Sequence, residues 1–258
     1  MNRRPLLVFA FGAALLATGL GAAKPQGYLA DGQFDILAVL PPAPTQGDAR
    51  YEADRTIFRQ TRAMVGTPRY RLATSDAVYK QPALMADFSC AVGVALTPQD
   101  ALRTKALVDR AMIDTEHQTG IAKDHYKRLR PFLIDQGPVC EDKTELAKSY
   151  DYPSGHTTLG WTWALILSDL VPDRATAILA RGRAYGDSRF ICGAHNESAV
   201  EGGKLSAGST MAVVRTTQAY QADAAAARAE LQALLRDPAA ARPTGCDVER
   251  QLVAQRVQ

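Results

Sequence analysis

The chain has 258 residues and a formal net charge of +3, from 30 basic and 27 acidic residues. Near-balanced charge, with no run of Lys and Arg interleaved with aromatic residues, argues against a nucleic-acid-binding protein. The cysteines Cys90, Cys140, Cys192 and Cys246 form no CxxC pair, which argues against a structural zinc site. In an oxidising compartment they would form one or two disulfides, and all three pairings stay open.

The first 23 residues have the organisation of a cleavable secretory signal. Arg3 and Arg4 precede an uncharged apolar run over 6–20, and small residues end the segment at Ala23. The run is short for a membrane anchor, which needs ~20 apolar residues, and no later stretch is long and apolar enough to span a membrane. Cleavage after Ala23 would leave 235 residues, enough for one large domain, with a net charge of +1. We therefore predict an exported protein, periplasmic or secreted.

The rest of the chain divides into an arm and one helical domain. Residues 24–45 are rich in Gly and Pro and predict an extended N-terminal arm, because consecutive prolines exclude helix and sheet interior. Residues 46–258 are assigned to a single domain. Apolar residues at helical spacing predict a surface helix over 47–65, and 82–94 is a weaker candidate for a short helix.

Later helices are marked by start and stop signals. A cap at Thr97, followed by Pro98, predicts a helix that runs to about Gln118 and breaks at Thr119-Gly120. A second helical piece from Ile121 is expected to end at Arg130-Pro131. Further helices are predicted over 155–170, 173–185, 197–216 and 218–235, the first of them buried. Because no stretch alternates apolar and polar residues for long, the predicted fold class is all-α, a compact single-domain helical bundle.

The stretch Tyr152–Thr158, sequence YPSGHTT, reads as a tight turn that leads into an apolar helix. The start of such a helix directs unpaired backbone N–H groups at the turn and so favours an anion. His156, placed in that turn, can transfer protons near neutral pH. The stretch therefore predicts a site that handles an oxyanion.

Two other segments contain basic residues at suggestive spacings, and the second of them also contains a histidine. Lys123 is followed, after six residues, by Arg130-Pro131, and Ser188-Arg189 is followed, after five residues, by His195. Each segment alone is a weak signal, because solvated lysines and surface ion pairs are common. Together with the YPSGHTT turn, the ordered triple resembles the signature of the acid phosphatase and vanadium haloperoxidase superfamily, also called the type 2 phosphatidic acid phosphatase group. It is most similar to the bacterial class A non-specific acid phosphatases.

The resemblance implies a phosphomonoesterase with broad specificity that works through a phosphohistidine. His195 would attack phosphorus, and His156 would protonate the leaving alcohol. The phosphate-binding residues that it implies are Lys123, Arg130, Ser154, Gly155 and Arg189. No metal or cofactor is implied, because these cations and N–H groups neutralise the charge of the transition state. The partners would be small phosphomonoesters, and a homodimer is compatible with the family.

One position departs from the family pattern. The family usually has an aspartate four residues after the nucleophilic histidine, where it orients the ring, and here that position is Ala199. Glu197, Glu201 or a distant carboxylate such as Asp187 could take over, as could a backbone carbonyl or water. A phosphate-binding protein of low or no activity and a vanadate-dependent haloperoxidase stay open as alternatives.

Overall fold

The computed structural model describes residues 25–255, so the predicted secretory signal lies outside the described residues. Its helices are α1 Ala49–Thr61, α2 Pro68–Ser75, α3 Ala83–Ala86, α4 Ser89–Val92, α5 Leu102–Tyr126, α6 Lys143–Leu146, α7 Gly155–Leu170, α8 Ala175–Cys192, α9 Glu197–Val214, α10 Gln218–Arg236 and α11 Cys246–Ala254. Short 3₁₀ turns lie at Ile36–Ala38, Arg62–Met64, Pro131–Leu133 and Pro172–Arg174. Between residues 25 and 255 there is no strand, which confirms the all-α prediction.

Helix α7 is the centre of the bundle and packs against α5, α8 and α9. Its side chains are apolar around most of the helix, and Trp163, Ile166 and Leu167 are fully buried, as expected for a core helix. Glycines allow α8 to approach closely: a Cβ at Gly160 would lie 2.2 Å from the Tyr185 ring, and one at Gly182 would lie 2.4 Å from the Ala164 Cβ. This close packing fixes the position of the end of α8 relative to the start of α7.

Helix α5 corrects two sequence predictions. It begins at Leu102 rather than at Thr97, because Thr97 caps a separate turn in which the Asp100 N–H donates to Thr97 Oγ1 at 3.1 Å. It also continues through the predicted break at Thr119-Gly120 to Tyr126. A single helical glycine costs only about 1 kcal/mol, and Thr119 is fixed in the core by a hydrogen bond of 3.0 Å to Thr158.

The second helical piece therefore ends at Tyr126, four residues before the expected Arg130. Lys127 ends α5 in the left-handed conformation, with φ of 47°. As a result Lys123 lies in the last turn of α5, whereas Arg130 precedes a 3₁₀ turn in the following loop. The two cations belong to different elements and converge from different directions.

Helix α8 is longer than the predicted 173–185 and ends at Cys192, where Gly193 caps it with φ of 86°. The polar run Gly186–Ser188 stays helical because its side chains find buried partners, such as the Asp76 carboxylate that accepts from Ser188 Oγ at 2.5 Å. The extension places Arg189 in the last turn. Helix α7 matches its predicted range, α9 and α10 match within two residues, and α11 lies beyond the last helix predicted.

Two disulfides, Cys90–Cys246 and Cys140–Cys192, select one of the three open pairings. The first joins α11 to α4, and the second joins the loop before α6 to the end of α8.

The arm follows α5: the Tyr28 N–H donates to Asp114 at 2.7 Å, and Ile36 is fully buried. Among the helices of residues 25–255, none combines the length and apolarity needed to cross a membrane.

Candidate active site

A cavity of about 600 Å³ opens where α5, α7 and the loop before α7 meet. Predicted site residues that line it are Lys123, Arg130, Gly155, His156 and His195. A larger groove of about 820 Å³ lies against α8, α9 and α11 and contains none of them. Charged side chains in that groove pair with one another, as Arg183 does with Asp187 and Lys204 with Glu201. The smaller cavity is therefore the candidate active site.

Arg189 and Ser154 are both buried beside this cavity. Arg189 is fully buried, and its Nη2 pairs with the Glu141 carboxylate. Its Nη1 and Nε have no hydrogen-bond partner among the described residues. Unpaired buried donors on a cation are costly, and an oxyanion bound beside them would remove that cost.

Ser154 is the N-cap of α7, as its place before an apolar helix predicts. Its Oγ accepts from the Thr157 N–H at 3.3 Å and from Thr157 Oγ1 at 3.0 Å, which leaves its own O–H free to donate. Gly155 is the first helical residue, and a Cβ there would lie 3.8 Å from Lys123 Cε. The start of α7 therefore lies next to the lysine.

His195 is held by both ring nitrogens. Nδ1 lies 2.8 Å from the Asp151 carbonyl oxygen and 3.0 Å from Asp151 Oδ1, and Nε2 lies 3.0 Å from Arg130 Nη1. Because a guanidinium only donates, Nε2 must accept and the ring proton must be on Nδ1. This tautomer leaves the lone pair of Nε2 among the site cations.

Burial lowers the pKa of His195 well below its usual value, and the charges of Arg130, Lys123 and Arg189 lower it further. Both effects favour the neutral form of the ring over the imidazolium. A neutral imidazole is a nucleophile once its lone pair is released, and here the lone pair of Nε2 accepts a hydrogen bond from Arg130. Burial, together with Arg130, also lowers the pKa of Lys123 to about 7.

His156 donates from Nε2 to the Ala77 carbonyl at 3.2 Å, which makes Nδ1 the nitrogen that gains and loses a proton. The Tyr79 ring packs edge-on against it, with 4.7 Å between centroids. Burial lowers the pKa of His156 well below its usual value, and Arg189 and His195 add to this shift. A dianion bound nearby would oppose the effect of Arg189 and raise the pKa again.

Sequence reasoning missed Asp151. Its carboxylate is fully buried and contacts His195, whereas Asp187 pairs with Arg183 and Glu201 with Lys204, away from the cavity. The only signal in the sequence was its position directly before the YPSGHTT turn. Ala199 is fully buried, and its carbonyl accepts from the Ser154 N–H at 2.9 Å.

A second layer of polar side chains supports Asp151 and His195. Asp54 of α1 pairs with Arg128 Nη2 at 2.5 Å and accepts from Ser198 Oγ at 2.6 Å. Arg128 Nε also lies 3.6 Å from Asp151 Oδ2. Because these groups are buried and pair with one another, they hold Asp151 from behind. The remaining histidines, His117 and His125, are exposed and lie outside the site.

Comparison with known proteins agrees with this geometry. The profile of the PAP2 superfamily matches residues 107–223. The chain is 38% identical to an acid phosphatase of Zymomonas mobilis over 200 residues, which are 77% of this chain and 76% of that protein. It is 34% identical to a non-specific acid phosphatase of Providencia stuartii over 85% of this chain and 94% of that protein. The chain belongs to the PAP2 superfamily.

A non-specific acid phosphatase of Salmonella typhimurium is 35% identical over 74% of the chain and 78% of its own length. The PAP2 match spans α5 from residue 107 onwards, all of α6, α7, α8 and α9, and the start of α10. It therefore contains every element that contributes a cation or histidine to the candidate site. Because the chain contains the PAP2 match and is similar to acid phosphatases over most of its length, it is a phosphoric monoester hydrolase of the acid phosphatase type. Its substrates are small-molecule phosphate esters.

Proposed function

We propose that this acid phosphatase is exported and hydrolyses a broad range of phosphomonoesters without a metal, through a phosphohistidine at His195. The observation that carries the proposal is the unprotonated Nε2 of His195, which contacts Arg130, in a residue that lines the same cavity as Arg130 and Lys123. The secretory-type segment over 1–23 and the two disulfides support the periplasm or the exterior as its location. The homodimer that the resemblance allows stays a prediction.

The first chemical step transfers the phosphoryl group to the enzyme. Arg130 moves its hydrogen bond from Nε2 of His195 to a phosphate oxygen, and the freed lone pair of Nε2 forms a bond to phosphorus while the bond from phosphorus to the ester oxygen breaks. His156 donates its Nδ1 proton to that oxygen, so the alcohol leaves neutral. The ring of His195 keeps the proton on Nδ1 and carries a positive charge while phosphorus is attached.

The second step restores the enzyme. A water oxygen attacks phosphorus, His156 accepts the water proton on Nδ1, and the N–P bond breaks. Inorganic phosphate leaves, and His195 returns to its neutral form with the lone pair on Nε2. Both histidines finish each turnover in the protonation state in which they began it.

Positive charge around the phosphoryl group comes from the chain itself. Lys123, Arg130 and Arg189 supply cationic donors, and the start of α7 adds backbone N–H groups. The site recognises the alcohol of the ester less specifically than it recognises the phosphate. Tyr79, Leu146 and Leu159 line the cavity with aromatic and apolar surface, which accepts many leaving groups.

Hydrolysis of p-nitrophenyl phosphate with and without EDTA tests the proposal. We expect the same rate in both conditions, and quenching with alkaline SDS during turnover should trap a phosphoenzyme that is stable to base and labile to acid, as a phosphohistidine is. Loss of activity with EDTA that returns on adding a divalent metal would refute metal independence. Turnover without any trapped intermediate, at substrate saturation and millisecond quench times, would refute the phosphohistidine.

Lys123 should make phosphate affinity depend on pH. Because its pKa is about 7, the ammonium is charged below that pH and lost above it. Between about pH 6 and about pH 8, we expect the inhibition constant of phosphate to rise about tenfold more in the natural chain than in Lys123→Arg, which stays charged. Ionisation of phosphate is common to both proteins, so the difference isolates Lys123. Parallel pH profiles would contradict this role.

A further inference from the structure

We infer that Asp151 is the residue that positions His195, and that its carboxylate stabilises the positive ring formed when phosphorus is attached. This inference rests on the proposed phosphohistidine mechanism. It assigns the orienting role to a segment that precedes the YPSGHTT turn, and not to the position four residues after His195. Asp151 acts through His195 and has no contact with phosphate in the mechanism.

The contacts of Asp151 place it behind the nucleophile. Its Oδ1 lies 3.0 Å from His195 Nδ1, and its own carbonyl oxygen lies 2.8 Å from the same atom. Asn196 holds the carboxylate in place, donating from its backbone N–H to Oδ1 at 3.1 Å and from Nδ2 to Oδ2 at 2.8 Å. Arg130 at Nε2 fixes the opposite side of the ring, so the imidazole is clamped at both nitrogens.

The two oxygens that face Nδ1 have different roles. A carbonyl oxygen is enough to keep the proton on Nδ1, because it can only accept. It carries no net charge, however, and gives limited stabilisation to the positive ring of a phosphohistidine. A carboxylate at 3.0 Å in a buried site supplies that charge at the atom where it is needed.

The surroundings of Asp151 fit its ionised form. The groups that face its oxygens are Nδ1–H of His195, the two N–H donors of Asn196 and Nε of Arg128, all of which are donors. A neutral carboxyl would place its own proton against these donors. Burial raises the pKa of Asp151 overall, and Arg128, Asn196 and Arg130 offset part of that rise.

Ala199 lies next to the same turn. Its carbonyl accepts from the Ser154 N–H, three residues after Asp151, and its side chain is fully buried. A carboxylate at 199 would therefore add a second buried negative charge close to Asp151, and two such groups repel each other. The geometry explains why alanine is suitable here: the charge that His195 needs is already supplied from the other side of the turn.

The first test compares Asp151→Asn with Asp187→Asn. Both variants remove one buried negative charge, but Asp151 contacts His195 whereas Asp187 pairs with Arg183 away from the cavity. We expect kcat for p-nitrophenyl phosphate to fall about 100-fold in Asp151→Asn with KM within about threefold, whereas Asp187→Asn keeps kcat within about threefold. A general structural defect would change both variants alike, and thermal melting curves report the folded fraction of each.

A second readout does not depend on turnover. Vanadate takes five ligands and so resembles phosphorus under attack by Nε2, whereas phosphate does not bond to the ring. In Asp151→Asn we expect vanadate to bind about 100-fold more weakly in a titration, with phosphate affinity within about threefold of the natural chain. Equal changes in the two affinities would overturn the proposal, even if turnover of the natural chain were absent.

An exchange of positions completes the test. Ala199→Asp in the natural chain should give no gain in kcat and a lower melting temperature, because the role is filled and a second carboxylate is added. In the Asp151→Ser background the same change should recover activity at least about tenfold. A kcat of Asp151→Asn within threefold of the natural value, or a large gain from Ala199→Asp alone, would refute the role of Asp151. Either result would leave the phosphatase activity itself, measured on the natural chain, intact.

Discussion

Replacing His195 with asparagine should lower kcat for p-nitrophenyl phosphate by about 10⁴-fold or more and remove the trapped phosphoenzyme. The amide nitrogen of asparagine can occupy the position of Nδ1 and still donate to Asp151, so the buried network keeps its hydrogen bond. What disappears is the lone pair of Nε2, for which an amide offers no equivalent. Kinetics and trapping by the alkaline SDS quench measure the two effects directly.

Phosphate binding separates loss of the nucleophile from loss of the site. Arg130 and Arg189 remain in His195→Asn, so titration with phosphate should give an affinity close to that of the natural chain. His125→Asn is the matched control, because that histidine is exposed and outside the cavity, and it should keep full activity. A His195→Asn enzyme with activity within tenfold of the natural chain would exclude His195 as the nucleophile.

The effect of His156→Gln should depend on the leaving group. Alkyl phosphates need a proton on the departing oxygen and should lose about 10²- to 10⁴-fold in kcat/KM, whereas p-nitrophenolate leaves without one and should lose far less in this step. Glutamine can keep a hydrogen bond to the Ala77 carbonyl, so the loop that carries Tyr79 should hold its position.

The second step gives the same variant an additional signature. His156 also accepts the proton of the attacking water, so the phosphoenzyme of His156→Gln should accumulate. Rapid mixing with p-nitrophenyl phosphate should then show a burst of about one nitrophenol per active site. Tyr79→Leu removes the ring packed on His156 without removing the proton, and it should show no burst. Equal losses on both kinds of ester, with no burst, would contradict the assignment of His156.

The fold class could be predicted from the sequence because helical spacing and caps are local signals. The position of α7 followed from an apolar run that begins after a Pro-Ser-Gly turn. The break expected at Gly120 was wrong, because a single glycine is a weak stop and Thr119 is fixed by neighbouring helices. The C-terminal part of α8 was missed for a similar reason, because a tertiary contact outweighs the local signal. Ser188 is a polar residue, and its partner Asp76 is brought to it only by folding.

The candidate site shows the same division between local and tertiary information. The resemblance to the superfamily signature implied Lys123, Arg130, His156 and His195 as site residues, and folding brings all four to one cavity. The partner of His195 could not be found in that way, because Asp151 is 44 residues away along the chain. Choosing among the carboxylates of this chain requires the path of the loop before α7, which depends on tertiary contacts.

The unpaired nitrogens of Arg189 have one more consequence. Nε and Nη1 of Arg189, a buried cation whose charge lowers the pKa of Arg130, have no hydrogen-bond partner among the described residues, so an oxyanion bound beside them would stabilise this region. The reaction itself produces such an oxyanion. Inorganic phosphate is thus both the product that must leave and the ion that stabilises the fold by mass action. Catalytic turnover and resistance to unfolding therefore make opposite demands on the same arginine.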